Sequence, residues 1–204
     1  MKIFAVGLNY ASHNKEMERT FQSKEPVIFM KPDTALLKGD KPFFLPDFSE
    51  EVHYETELVV KISRLGKNIG ERFAHRYYDE ITVGIDFTAR DLQRKQKELG
   101  LPWEIAKGFD NSAAVGKFIS KNEISDIQHL DFRLEINHQT VQRGNTKEMI
   151  YSVDTIIAYI SRFFTLKIGD LIFTGTPAGI GPVAINDHLQ GYLGDRKLLD
   201  FRVK

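Results

Sequence analysis

Between Val52 and Ile62 the side chains alternate: Thr56, Leu58, Val60 and Ile62 fall on one side of an extended backbone, and Glu55, Glu57, Val59 and Lys61 on the other. A period of two is the signature of a β-strand. The other apolar runs are also of strand length. Ile3–Val6 stops at Gly7, Pro26–Met30 is ended by Lys31-Pro32-Asp33, Ile81–Ile85 stops at Asp86, and Leu171–Phe173 leads into the turn-rich Thr174–Pro182. Pro42–Pro46 reads as an extended piece bounded by prolines, and Leu130–Ile136 with Gln139–Gln142 as a hairpin across Asn137-His138. Helices are few. Phe73–Glu80 is a short polar-aromatic candidate. Thr88 could cap a helix through Ala89–Leu99 that Gly100 and Pro102 close. Ser152 opens a helix through Phe164 with an apolar stripe of Ile156, Ile157, Ile160, Phe163 and Phe164. Strands outnumber helices without alternating with them, which argues against a parallel α/β fold and for an α+β, mainly β domain.

The chain of 204 residues fits one domain, 1–204, with no repeat or linker to divide it. Lys+Arg and Asp+Glu stand at 28 each, so no net field draws the protein to nucleic acid or to an anionic membrane. Any anionic ligand must be met by local positive charge. There is no cysteine, which removes disulfides and thiolate metal sites together. The opening MKIFAVGLNYASH is too short and too soon polar for a signal peptide, and no stretch is long enough to span a bilayer. The expected compartment is the cytosol.

Glu55 and Glu57, at i and i+2 on a strand, project from one face about 6–7 Å apart and could share a cation. They could equally be the solvated face of a sheet edge. Asp86, at the end of an apolar strand, could join them or cap the following helix. Three carboxylates without cysteine would select a hard ion, Mg²⁺ or alternatively Mn²⁺. Lys107 in AKGFD could balance the surplus negative charge or be an ordinary solvated lysine. His13 and Glu16 meet on one side of a helical turn, where a carboxylate orients an imidazole and makes it a better base. In Thr174–Pro182 three glycines and two prolines form a closely approachable loop whose amides and hydroxyls could receive a carboxylate. It lacks the Walker lysine and the dinucleotide fingerprint. The segment from Tyr10 to about Ser23 is polar with little apolar periodicity, a weak helix or a mobile stretch.

In this order the motifs VGLNYASHNKE, PVIFMKPDTAL, VHYETELVV, GIDFTARDLQ, the Lys of AKGFD, QRGNTKEMIYS and FTGTPAGIGPV resemble the fumarylacetoacetate hydrolase family over nearly the whole chain. They resemble most the small single-domain branch of acylpyruvate hydrolases and oxaloacetate decarboxylases. The resemblance implies a mixed β-sandwich roll or barrel with short flanking helices, built as a homodimer. It implies Glu55, Glu57 and Asp86 as ligands of Mg²⁺, with Arg90, Gln93, Lys107 and Thr176 lining the substrate pocket. His13 and Glu16 match a catalytic pair carried on a lid, here about residues 10–24. Leu8 stands where some members carry Arg, and Ala114 and Lys117 where prolines are common. The implied activity is metal-dependent C–C cleavage of a small 2-oxo acid, with Lys107 steadying negative charge. An isomerase or decarboxylase of 2-hydroxyhepta-2,4-diene-1,7-dioate, or a non-catalytic metal-stabilised binding protein, are the alternatives.

Overall fold

The computed structural model describes residues 1–17 and 23–204. The fold is mixed and mostly strands. Its larger sheet has eight strands, along the path β2 (Val27–Lys31), β1 (Ile3–Gly7), β12 (Leu171–Phe173), β5 (Thr56–Ile62), β6 (Tyr78–Asp86), β8 (Ala113–Val115) and β3 (Leu36–Lys38), with β9 (Ile119–Ser120) also on β6. Among the described strand pairs only β1–β12 and β3–β8 run parallel. A second sheet orders β11 (Gln139–Asn145), β10 (Asp131–Ile136), β14 (His188–Leu193) and β15 (Arg196–Arg202). A small third sheet joins β13 (Gly181–Pro182), β4 (Val52–Tyr54) and β7 (Thr88–Ala89).

The main core lies between the first two sheets, where Leu58, Val60, Ile81, Val83 and Ile85 meet Leu134, Leu189, Leu199 and Phe201. The alternate residues of the larger sheet point the other way, Ile3, Ala5, Val59 and Phe173 among them, and form a second cluster. Sheet faces covered on both sides leave little room for solvated side chains. Every residue of β5 except Lys61 is buried. The half-exposed edge that the alternation allowed is therefore not what forms: Glu55 and Glu57 are 6% and 2% exposed.

Three local readings change in the structure. Val52–Ile62 is not one strand, because Glu55 separates β4 from β5 and turns the chain from the third sheet into the first. Phe73–Glu80 divides between the end of a one-turn helix, α2 (Glu71–Ala74), and the start of β6; Tyr78 is buried in the sheet core rather than helical. Thr88 does not cap the next helix. It pairs with His53 in the third sheet, and the helix α3 (Arg90–Leu99) has Ala89 at its N-cap with no side-chain cap. Gly100 closes α3 in the left-handed region, at φ 65°. The hairpin turn forms as read, with Asn137 and His138 at φ 52° and 68°, the paired positive values of a type I′ turn. Ser152 caps α5 (Val153–Phe163) through the Thr155 amide. Of the lid segment, Ala11–Glu16 is the short helix α1, and residues 18–22 lie outside the described residues.

Candidate active site

Where β4 hands over to β5, and where β6 ends beside it, three carboxylates converge. Glu55, Glu57 and Asp86 each offer an oxygen within 4.8 Å of the other two, and all three are buried. Burying three like charges is costly unless they are compensated. The compensation is visible. Lys107, the last residue of α4 (Glu104–Lys107), places its Nζ 2.9 Å from Glu55 Oε2 and 2.9 Å from Asp86 Oδ2, and donates to Thr88 Oγ1 at 2.6 Å. That bond is the role Thr88 has in place of a cap. Arg90, at the start of α3, donates to Glu55 Oε1 at 2.6 Å and to Gln93 Oε1 at 2.7 Å.

A third cation was not singled out in the sequence. Lys31 ends β2 with no exposed side-chain surface and lies 2.7 Å from Asp86 Oδ1. Ser112 holds the same ammonium through its carbonyl and hydroxyl, both at 3.0 Å, and the Lys107 carbonyl accepts from it too. A lysine closing an apolar strand before Pro32 was the available signal, but chain punctuation explains it equally well.

The electrostatics are uneven. Against the cost of burial, Lys107, Arg90 and His13 hold the Glu55 carboxyl well below its usual range. Burial, Asp86 and Glu55 push Glu57 well above it, and the Gly175 amide, 2.6 Å from Glu57 Oε2, only partly offsets them. Glu57 is thus the carboxylate that lacks a cation. Clustered hard oxygens with one side undercompensated fit a divalent ion of the Mg²⁺ or Mn²⁺ kind.

The pocket beside these groups is lined by Glu55, Asp86, Lys107, Arg90, Gln93, His13 and Thr176, with Val6, Phe29 and Trp103 as apolar walls. Seven of the nine residues singled out in the sequence therefore border one cavity, while Glu57 touches that set through the carboxylate cluster and Glu16 through His13. The apolar walls carry no chemical signature and were not foreseen. Arg90 Nε is among the buried polar atoms that make no hydrogen bond here, and His13 Nδ1 has only an ion-pair contact. His13 Nδ1 is 3.5 Å from Glu16 Oε2, whose carboxylate also accepts from the Gly179 amide at 3.0 Å. Leu8, on the pocket rim, adopts φ 66°, a strained value for a branched side chain, and its carbonyl accepts from Asn14 Nδ2 at 3.1 Å. The Thr176 hydroxyl gives its proton to the Thr56 carbonyl at 2.9 Å, so in this arrangement it braces the strand.

Residues 2–204 match the family described as fumarylacetoacetate (FAA) hydrolase C-terminal. The mitochondrial oxaloacetate tautomerase of Mus musculus is 41% identical over 99% of this chain and 91% of its own length. The mitochondrial oxaloacetate decarboxylase of Dictyostelium discoideum is 42% identical over 89% of this chain and 84% of its own. The crystal structure of fumarylpyruvate hydrolase from Pseudomonas aeruginosa in complex with Mn²⁺ and pyruvate superposes with a TM-score of 0.92 at 35% identity, covering all of this chain and 89% of that one. With a family match over almost its full length and these relatives, the chain belongs to the fumarylacetoacetate hydrolase family and is an enzyme of that family.

Proposed function

We propose that the protein acts on small 2-oxo dicarboxylic acids, oxaloacetate first among them, by moving a proton between carbon 3 and the 2-oxygen and, in the same site, by losing the carboxylate on carbon 3 as carbon dioxide. In that loss the electron pair of the broken C–C bond passes to the 2-oxygen as an enolate, and a proton is then added at carbon 3. The observation that carries this reading is the charge count around the pocket. The buried cations Lys31, Arg90 and Lys107 equal the carboxylates Glu55, Glu57 and Asp86 in number. Without an ion Glu57 is drawn towards its protonated form; a divalent ion that ionises it would leave the set with two surplus positive charges, and a dicarboxylate is the ligand that cancels them.

A cation held by Glu55, Glu57 and Asp86 supplies Lewis-acid stabilisation of negative charge on substrate oxygens. The chain's own groups do the rest. Burial first, then Lys107 and Arg90, hold the His13 imidazole below its usual range, so it is neutral and able to take a proton. It removes one from carbon 3 and returns it to the 2-oxygen, which balances tautomerisation with no bond cleaved but C–H. Lys107 stabilises the charge that develops between those two transfers, from a fully buried position where such an interaction is strong. Arg90 Nε, which makes no hydrogen bond in the protein, would donate to a substrate carboxylate. The lid at about residues 10–24, the homodimer and the cytosolic setting implied above belong to the same proposal.

C–C hydrolysis of acylpyruvates is the second reading, favoured by the His13–Glu16 pair, which can also activate water. The names of the relatives support the first: two of the three act on oxaloacetate, one as a tautomerase, a reaction without C–C cleavage. The test is a panel with Mg²⁺ or Mn²⁺: enol–keto exchange of oxaloacetate, pyruvate release from it, and acetylpyruvate hydrolysis, with Glu57→Gln as the blank. Oxaloacetate exchange well above that blank is expected. Turnover of acetylpyruvate alone would replace the first reading by the second.

A further inference from the structure

Strand β5 carries Glu57 and begins one residue after Glu55, yet its hydrogen-bonding partner on one side stops early. β12 pairs with Lys61, Val60 and Val59 and ends at Phe173. Beyond that point one backbone bond remains, from the Thr174 amide to the Leu58 carbonyl at 3.1 Å, and side chains supply the rest. The Thr174 hydroxyl donates to the Leu58 carbonyl at 2.8 Å, and the Thr176 hydroxyl donates to the Thr56 carbonyl at 2.9 Å. The Thr56 amide, lying between the two ligand glutamates, donates to Gln142 Oε1 at 2.9 Å. Gln142 comes from the other sheet. It sits on β11 next to the irregularity where the β10–β11 register shifts between Leu134 and Glu135, and such bulges re-aim neighbouring side chains.

All the amide's hydrogen-bonding groups are used. Gln142 Nε2 donates to Thr176 Oγ1 at 2.8 Å and to the Pro177 carbonyl at 2.9 Å, and the side chain is 2% exposed. A Cβ on Gly179 would come within 3.4 Å of Gln142 Cγ, so Gln142 also backs the residue whose amide receives Glu16. The same loop presents the Gly175 amide to Glu57. One neutral side chain thus ties the strand between two carboxylates to the loop that faces the pocket.

We propose that Gln142 is a positioning residue for this site: it stands in for the missing strand partner at Thr56 and locks the Thr174–Gly179 loop to it, so that the cation site and the substrate wall form one rigid unit. The metal part of this inference stands on the carboxylate cluster alone, and the substrate part rests on the proposed oxaloacetate activity. Outer partners that orient ligands are worth about 10–100-fold in metal affinity. Gln142→Met keeps the volume and removes every bond. Gln142→Glu keeps an acceptor for the Thr56 amide and removes both donors to the loop.

The experiment measures Mn²⁺ affinity of the metal-free proteins by calorimetry, then kcat and KM for oxaloacetate at saturating Mn²⁺. Gln142→Met is expected to bind Mn²⁺ at least tenfold more weakly and to raise KM. Gln142→Glu is expected to keep Mn²⁺ affinity within about threefold or better, while KM rises at least tenfold, because only the loop tie is cut. Should Gln142→Met fail to fold, Gln142→Glu decides alone. Wild-type Mn²⁺ affinity in a folded Gln142→Met, or an unchanged KM in Gln142→Glu, overturns the inference. If the wild type does not turn over oxaloacetate, the calorimetric arm still tests the strand tie, and the loop tie is read from the susceptibility of Thr174–Gly179 amides to hydrogen exchange, expected to rise in Gln142→Glu and unchanged if the inference is wrong.

Discussion

Burial draws the His13 imidazole down from its ordinary 6.5; Lys107 and Arg90 pull the same way, while Glu55 and the Glu16 carboxylate oppose them. The neutral ring is the form that accepts a proton, so with His13 as the proposed base activity should be lost as pH falls through that lowered value. The acid limb of kcat/KM for oxaloacetate is therefore expected below pH 6.5. Glu16 raises the imidazole's affinity for a proton, so Glu16→Gln should move the limb to still lower pH. A limb that moves upward, or a His13→Ala enzyme with an unchanged profile, would show that His13 is not the base. At this scale the sequence was informative about residue type and silent about company. His13–Glu16 was legible because helical spacing brings i and i+3 together whatever the fold. Lys31 was not, because its partners Asp86 and Ser112 lie far along the chain and are delivered by tertiary packing.

The β5–β6 pair is the element on which the site stands. Glu57 lies opposite Gly84 across the ladder, and Asp86 closes the same strand two residues on. A Cβ at Gly84 would come within 2.6 Å of Val59 Cγ2, 2.8 Å of Phe173 Cε1 and 2.9 Å of the Ala114 carbonyl. The last is backbone of the neighbouring strand and cannot swing away. Gly84→Ala should therefore destabilise the protein by about 1–3 kcal/mol, the range for an overpacked core, seen as a lower urea midpoint at unchanged slope. It should also weaken Mn²⁺ binding, because relief of the clash moves β5 away from β6. An unshifted midpoint would mean the sheet yields there freely. Alternation in Val52–Ile62 disclosed the strand and the shared direction of the glutamates, since side-chain period is a local property. It could not disclose that both faces are covered, nor the break at Glu55, because these depend on the second and third sheets. Thr88 was misread for the same reason: a threonine before a helix looks like a cap until a lysine from another element claims its hydroxyl.

Across the whole molecule net charge is zero, so nothing at long range gathers anions, and the site must do so by local compensation. The three buried cations and three buried carboxylates cancel once Glu57, drawn towards its protonated form while no ion is bound, is ionised. A divalent ion alone leaves two uncompensated positive charges in a low-dielectric pocket, and a dicarboxylate alone leaves a negative surplus. Together they leave none. Each ligand should then tighten the other, and thermodynamic linkage makes the effect mutual. Malate, a dianion that keeps the oxaloacetate skeleton without its reactive carbonyl, isolates binding from turnover. Melting temperatures with Mn²⁺, with malate and with both are expected to show a combined shift exceeding the sum of the separate ones. A coupling of about 1–3 kcal/mol corresponds to an excess on the order of 5 °C for a chain of this size. Lactate, the monoanion with the same 2-hydroxy carboxylate, cancels only half the surplus and should give a clearly smaller excess. Because the charges are buried, moderate salt should leave the malate excess nearly unchanged, whereas screening would erase a surface effect. Strictly additive shifts, or equal ones for lactate and malate, would mean that charge compensation does not select the ligand and would remove the ground for preferring a dicarboxylate.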